Sequence, residues 1–339
     1  MVAKNRLGLQ TVRLEHPPTI KAHAAVAGPM EAQGPLGHEF DHTYADLMMG
    51  QQSFEKAERL MLKDACHLAL ERAGLSATTP EIDYFVAGDL LNQIISSTFS
   101  ALSLSIPFFG LYGACSTLCE SLSVASVLID GGYADRVLCA TCSHNATAER
   151  QYRYPNEYGG QRKPYAQWTV TGAGALVVAA EGPGPRITHV TTGKVIDMGI
   201  KDPFDQGAAM APAAVDTIYA HLSDTGRCVD DYDLIVTGDL ARFGREMAVK
   251  LAAERGLSLG ETYKDCGVLV YDNTKQDVHS GGSGCGCSAI VTCGHLLKEM
   301  ERGKIRRMLL VATGALLSPT TFQQGENIPA IAHAVAIEV

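Results

Sequence analysis

Apolar and polar positions follow two different periods along this chain, and the period switches every ten to twenty residues. From Ser53 to Leu75, Ala57, Leu60, Met61, Ala65 and Leu68 recur at helical spacing, which predicts an amphipathic helix. Ile82-Asp83-Tyr84-Phe85-Val86-Ala87 is a short β-rich run ending in Gly88-Asp89-Leu90. Ile106-Pro107-Phe108-Phe109 leads into Gly113-Ala114-Cys115-Ser116, and a small-residue helix is predicted from about Thr117 to Asp130, stopped by Gly131-Gly132. Arg136 to Thr141 reads as a buried strand. A long polar segment, Ser143 to Thr169, separates it from the glycine-rich strand Thr171 to Val178. Glu181-Gly182-Pro183-Gly184-Pro185 is the strongest linker signal. Helices alternating with strands in this way predict an α/β fold.

The pattern also repeats. Asp83-Tyr84-Phe85-Val86-Ala87-Gly88-Asp89-Leu90 recurs as Asp233-Leu234-Ile235-Val236-Thr237-Gly238-Asp239-Leu240, 150 positions later. Gly113-Ala114-Cys115-Ser116 has a counterpart in Gly284-Cys285-Gly286-Cys287-Ser288, with Ser116 and Ser288 172 apart. Gly132-x-x-x-Arg136-Val137-Leu138 returns as Gly303-x-x-x-Arg307-Met308-Leu309, 171 apart. Three matches in one order predict two duplicated halves, 1–185 and 186–339, each building a parallel-rich sheet with helices between and outside. Ligands of such sheets bind at the carboxyl ends of strands.

Composition narrows the function classes. The chain has 339 residues, 46% apolar and 19% charged, which fits a globular protein with a sizeable core and excludes disorder or a coiled coil. Its apolar runs all stop short of the ~18 residues a membrane-spanning helix needs, and Met1 to Leu14 lacks the apolar centre of a secretory leader. A net charge of −9 argues against nucleic acid as a partner. Ten cysteines include the close pairs Cys115/Cys119, Cys139/Cys142 and Cys285/Cys287. Neither a disulfide scaffold nor zinc is expected, because the one Cys-x-x-Cys lacks a second at the required spacing. The 34 glycines gather at strand ends.

Gly113-Ala114-Cys115-Ser116 before a small-residue helix, Thr171-Gly172-Ala173-Gly174-Ala175, the turn from Gly282 to Ser288, and Ala312-Thr313-Gly314-Ala315 together resemble the thiolase superfamily, which includes the ketoacyl synthases. The likeness runs over nearly the whole chain. It implies a thiolase-like fold of two duplicated βαβαβ-type halves, packed as α/β/α/β/α layers. Further strings carry a narrower likeness. They are Ala27-Gly28-Pro29, Gly34-Pro35-Leu36-Gly37, Ala87 to Gln93, Ser143 to Gln151, Tyr154 to Gly160, Asp202-Pro203-Phe204-Asp205 and Gly314 to Thr320. These resemble the stage V sporulation protein AD family. That resemblance implies a protein of spore-forming bacteria that binds dipicolinate (pyridine-2,6-dicarboxylate), alone or as its calcium chelate, and serves its uptake and release. It also implies a homodimer, peripheral at the inner membrane of the forespore and spore, beside membrane-embedded stage V channel proteins.

Thiolase-type condensation needs a cysteine thiolate, bases of the His/His or His/Asn kind, and an oxyanion hole. Cys115 at a helix N-terminus is placed for a lowered thiol pKa. By the ketoacyl-synthase register, Gly238 stands where a catalytic histidine would be, and Gly282-Ser283-Gly284 contains neither His nor Asn; His279 and His144 are the candidate substitutes. No catalytic residue is therefore expected beyond the nucleophile position of Cys115, and no metal or cofactor. The alternative is an acyl-transferring condensing enzyme using Cys115. The ligand-binding candidates are Asp89, Asn92, Cys115, His144, Asn145, Arg150, Ser283, Gly284 and Cys285. In this reading the two glycine-rich helix starts offer N–H groups to a carboxylate, and Arg150 faces the ligand.

Each candidate has a plainer reading. Cys115 fits a tightly packed turn, and His144 with Asn145 a turn-stabilising pair. Asp89 and Asp239 suit helix N-caps, with Asp89 the better site candidate because Asn92 and Gln93 follow it. Arg150 and Arg153, with Tyr152, Tyr154 and Tyr158, suit an interface arm. Lys304, Arg306 and Arg307 read as a solvated basic turn.

Overall fold

The computed structural model describes residues 4–76, 81–152 and 162–339. Arg153, Tyr154, Tyr158 and the Tyr154–Gly160 string therefore lie outside the described residues. The strands are β1 (Thr11–Arg13), β2 (Thr19–Ala27), β3 (His42–Thr43), β4 (Tyr84–Asp89), β5 (Phe108–Gly110), β6 (Arg136–Ser143) and β7 (Trp168–Thr169), then β8 (Gly172–Ala179), β9 (Arg186–Thr191), β10 (Leu234–Thr237), β11 (Tyr263–Asp265), β12 (Gly282–Ser283), β13 (Arg307–Ala315) and β14 (Ala330–Glu338).

Two arrays follow one plan. In β2-β8-β6-β4-β5 the first two junctions are antiparallel and the last two parallel. In β9-β14-β13-β10-β11 the same sequence of junctions returns. The expectation of parallel-rich sheets is corrected here, since each array is half antiparallel. The arrays touch through one pair between β2 and β9, Thr19 opposite Arg186. The third repeat in the sequence now has a physical reason. Asp83 accepts the Asp135 and Arg136 N–H groups at 2.7 and 2.9 Å, and Asp233 accepts those of Arg306 and Arg307 at 2.8 and 2.9 Å. The same carboxylate ties the same strand start in each half.

Layering follows from strand periodicity. Successive side chains point to opposite faces, and both faces of each array are apolar. Val86, Val137 and Leu176 of one array, with Val236, Leu310 and Val335 of the other, enclose the helices Thr117–Asp130 and Cys285–Val291 in a central core. Phe85, Leu138 and Val177 face outward onto Ala57, Met61, Leu62 and Ala65 of the helix Phe54–Arg72. Ile235, Leu309 and Ala334 do the same against the helices Gln206–Thr225 and Ala241–Glu254. Helix, sheet, helix, sheet and helix thus stack as five layers. Gly174 matters here, because a Cβ on it would lie 2.7 Å from Ala289 O, blocking the close approach of a central helix to β8.

Local signals placed most elements. Ser53 Oγ caps the first long helix by accepting Lys56 N–H at 3.3 Å, and Gly132, at φ +74°, follows the helix Thr117–Asp130. The polar segment after β6 is not simply a loop, since it opens with the helix Asn145–Tyr152. No helix among the described residues is long and apolar enough to cross a membrane.

Candidate functional site

The two arrays bring their central helix starts together. After β5 the chain turns at Gly113 and Ala114, where Ala114 takes a left-handed φ of +50°. The turn is held by Ser116 Oγ donating to Gly113 O at 2.7 Å and Thr117 Oγ1 donating to Ala114 O at 2.6 Å. Cys115 emerges at its tip, 5% exposed. Opposite stands the turn β12–Gly284, with Gly284 at φ +98° opening the helix Cys285–Val291.

Asp239, just past β10, closes this arrangement. It is fully buried. Its Oδ2 accepts Gly284 N–H at 2.9 Å, its Oδ1 accepts Thr313 Oγ1 at 2.6 Å, and Ser283 Oγ lies 3.4 Å from Oδ2. Burial pushes its pKa to about 6, against the hydrogen bonds that favour the charged form. Cys115 feels the reverse of what a helix start alone predicts. Burial first, then the Asp239 carboxylate and Cys285, push its thiol well above the usual range, and the Gly284 N–H opposes them only in part. The expected low-pKa thiol is thereby corrected, because desolvation and a buried acid outweigh the helix dipole.

Cys115 lies in a cavity with roughly 390 Å³ of empty space, though the centre of a water molecule has only about 30 Å³ in which to move. Leu90, Ala114, Ala148, Ala315 and Leu317 supply apolar wall; Tyr152, Thr169, Gln206 and Ser283 supply polar groups. Tyr152 donates to Leu90 O. No histidine, lysine or arginine lines the cavity among the described residues.

The sequence-derived candidates divide sharply. Cys115 and Ser283 line the cavity. Gly284 and Cys285 are adjacent, but the Gly284 N–H is engaged by Asp239, the Gly286 N–H by Ser143 Oγ at 3.0 Å, and Cys285 Sγ donates to Cys142 O at 3.1 Å. The expected cradle at this helix start is therefore filled by the protein's own acceptors. Asn145 supports the wall from behind, its Nδ2 donating to Thr169 O at 3.3 Å and its N–H to Thr171 Oγ1 at 3.0 Å.

The others fall outside. Asp89 accepts Ser97 N–H and Ser97 Oγ at 2.7 Å and Leu91 N–H at 3.0 Å, so it caps the helix Ile95–Leu104. Asn92 is exposed and donates its N–H to Gln151 Oε1 at 3.1 Å. His144 is buried, its Nε2 2.9 Å from Leu47 O and its Nδ1 accepting Ala146 N–H at 3.1 Å. Burial lowers its pKa, so it sits as a neutral turn-holding ring. Arg150 is 58% exposed on its side chain and paired with Glu55, away from the cavity. His279 pairs with Asp277 at 3.8 Å.

Asp239, Gln206, Tyr152 and Thr169 are the site residues that sequence reasoning passed over. Asp239 was visible as half of a repeat, but the capping role expected of it belongs to Asp265. That carboxylate accepts Leu240 and Ala241 N–H at 2.9 and 2.8 Å. One group has metal-ligand geometry among the described residues: Glu39, His295 and Glu299. Arg302 bonds both acids at 2.8 Å, and Lys304 bonds Glu299 at 3.0 Å, so its charge is already balanced.

Comparisons with known proteins agree with this fold. The family model described as Stage V sporulation protein AD matches residues 8–338. The chain is 51% identical over 331 residues to the Stage V sporulation protein AD of Bacillus subtilis (strain 168), covering 98% of this chain and 97% of that one. Among solved structures it resembles 3-oxoacyl-(acyl-carrier-protein) synthase III from Aquifex aeolicus VF5 (TM-score 0.60, 14% identity, 95% of this chain and 100% of that one). Cerulenin-bound OleA of Xanthomonas campestris (TM-score 0.61, 13% identity, 97% and 100%) and human mitochondrial 3-ketoacyl-CoA thiolase (TM-score 0.58, 14% identity, 96% and 99%) are similar. At those identities the likeness concerns the fold.

Proposed function

The chain belongs to the stage V sporulation protein AD family, and from that premise we propose that it binds dipicolinate without condensing chemistry and takes part in dipicolinate uptake and release in bacterial spores. The observation that carries this reading is the setting of Cys115. A thiolase-like fold puts its nucleophile at this elbow, and here the thiol is buried beside a carboxylate and a second thiol. Nucleophilic catalysis runs on the thiolate. In this reading, a proton-holding thiol with no histidine among the described lining residues lacks both the thiolate and a histidine base beside it.

What is left is a small amphipathic cavity. Its room for a water-sized centre, about 30 Å³, is well below the ~300–1,000 Å³ of small-molecule sites, so in this reading wall side chains shift to admit the ring. Leu90 and Leu317 offer apolar surface to a flat ring, and the polar residues offer neutral hydrogen bonds to its carboxylates. Among the described residues no Lys or Arg lines the wall, so the polar contacts these residues offer the ligand are neutral. The ligand enters as dipicolinate or its calcium chelate.

In this reading the protein works as a homodimer, peripheral at the inner membrane of the forespore and spore, beside membrane-embedded stage V channel proteins. The lack of a membrane-crossing helix among the described residues is compatible with that attachment. Calorimetric titration with dipicolinate, with and without calcium, tests the proposal. Saturable heat supports it, and no heat at millimolar ligand overturns it. Incubation with acyl-coenzyme A or acyl-carrier donors tests the rest: acylation of Cys115 with turnover would restore the condensing-enzyme alternative.

A further inference from the structure

The group of Glu39, His295 and Glu299 has one member that its charge balance leaves out. Each residue offers one ligand atom, and the three atoms lie within 4.8 Å of one another. Arg302 donates to Glu39 Oε1 at 2.8 Å and Oε2 at 3.0 Å, and to Glu299 Oε1 at 2.8 Å. His295 Nδ1, by contrast, is buried and has no hydrogen-bond partner among the described residues. Glu39 Oε1 stands 3.9 Å from it, too far for a hydrogen bond. That gap suits two ligands of one metal ion, each about 2.0–2.2 Å from it. Buried polar atoms normally find a partner, so an open imidazole nitrogen beside two carboxylates points to a cation shared by all three.

The chain builds this group from two places. His295 and Glu299 are four residues apart on the helical run that starts at Cys285, the spacing that puts side chains on one face. Thr292–Leu296 is a π-helical turn, a widening that recurs at functional sites. Glu39 comes from the short helix Gly37–Glu39. Gly294 lets that segment close in, since a Cβ there would lie 2.7 Å from Phe40 Cδ1. Lys298 Nζ donates to the Glu39 carbonyl and fixes it. Burial lowers the pKa of His295, so its ring is neutral at pH 7 and has a lone pair to give. The acids are the enclosed partners: Glu39 and Glu299 are 11% and 14% exposed, against 46% and 65% for Arg302 and Lys304. Ion pairs made by exposed side chains contribute little, so an entering ion can take their place.

We propose that Glu39, His295 and Glu299 bind a divalent transition-metal ion of the zinc class, the Arg302 guanidinium swinging out as the ion enters. One imidazole and two carboxylates suit zinc better than calcium, which takes about six to eight oxygens. Three protein ligands leave a position open to water. The site owes nothing to the cysteine spacings. His295 lies ten residues, roughly 15 Å, along the helical run from Cys285, so the site is also separate from the Cys115 cavity and independent of dipicolinate binding. The bound ion ties the Gly37–Glu39 segment to the helical run whose start faces Cys115.

Metal-free full chain is titrated with zinc chloride against a chromophoric zinc indicator, and separately with calcium chloride, as wild type, His295→Gln, Glu299→Gln and Arg302→Gln. Thermal melts establish first which variants fold. Wild type is expected to bind one zinc ion per chain. His295→Gln and Glu299→Gln are expected to weaken this by at least the roughly ten- to hundredfold that losing a supporting residue costs. Arg302→Gln removes the competitor and is expected to tighten binding about two- to fivefold. Zinc binding that persists unchanged in either folded ligand variant puts the ion elsewhere on the chain and overturns the proposal. So does weaker binding in Arg302→Gln, calcium bound as tightly as zinc, or no zinc bound by wild type at 0.1 mM.

Discussion

Asp239 Oδ2 accepts the Gly284 N–H at 2.9 Å, so the helix start that faces Cys115 is satisfied by a carboxylate of the protein itself. The same acid holds a proton up to about pH 6 and raises the neighbouring thiol. In the non-catalytic reading proposed above, this acid adds to burial in keeping the Cys115 thiol protonated.

Replacing Asp239 tests this. Asp239→Asn removes the negative charge beside Cys115, so its alkylation by iodoacetamide is expected to speed up at pH 8 and its pH profile to move to lower pH. At pH 5, where Asp239 is already protonated, the variant's melting temperature is expected to match wild type. Asp239→Ala leaves the Gly284 N–H and the Thr313 hydroxyl without their partner and is expected to cost about 2–4 kcal/mol in denaturant melts. An unchanged alkylation profile in Asp239→Asn would refute the coupling.

Stability is expected to fall as pH rises from 5 to 8. Glu31 is fully buried, accepts Thr171 N–H at 2.9 Å and the Tyr271 hydroxyl, and has its pKa pushed to about 7 by burial. Asp265 is pushed to about 7 by the same cause. A raised folded pKa means the folded state binds more protons than the unfolded one. Its contribution is complete below the unfolded value and is lost as pH passes through about 7. For Glu31 the rise from 4.5 to about 7 corresponds to roughly 3 kcal/mol. Thermal melts across this range are expected to show the decline, and Glu31→Gln to flatten it.

Arg150→Ala is expected to leave dipicolinate binding within twofold and stability within about 1 kcal/mol, since its partner Glu55 is a partly exposed surface acid. A large loss of affinity in calorimetry would return Arg150 to the site.

Gly244→Ala places a Cβ 2.8 Å from Gly207 Cα and O. The overpacked helix pair is expected to lose about 1–3 kcal/mol. Because Gly207 follows Gln206, ligand affinity is expected to fall with it. A denaturation curve and a titration on one sample separate the two effects.

The alternation of helical and strand periods, the glycine stops and the repeated Asp83/Asp233 strings by themselves determined the α/β class and much of the element order. These are local properties, set by which face a residue presents and which backbone a glycine permits. Cys115 at its elbow was legible for the same reason. What a side chain touches across the fold was decided only by tertiary structure. Asp89 and Asp239 occupy matching places in a repeat, yet Asp89 caps a helix while Asp239 meets Gly284, 45 positions away. Gln206 looked like any polar residue until Gly207 and Gly244 pressed two helices together. The pKa of Cys115 followed the same rule. Sequence displays the helix dipole, but burial and a distant carboxylate, both products of packing, outweigh it.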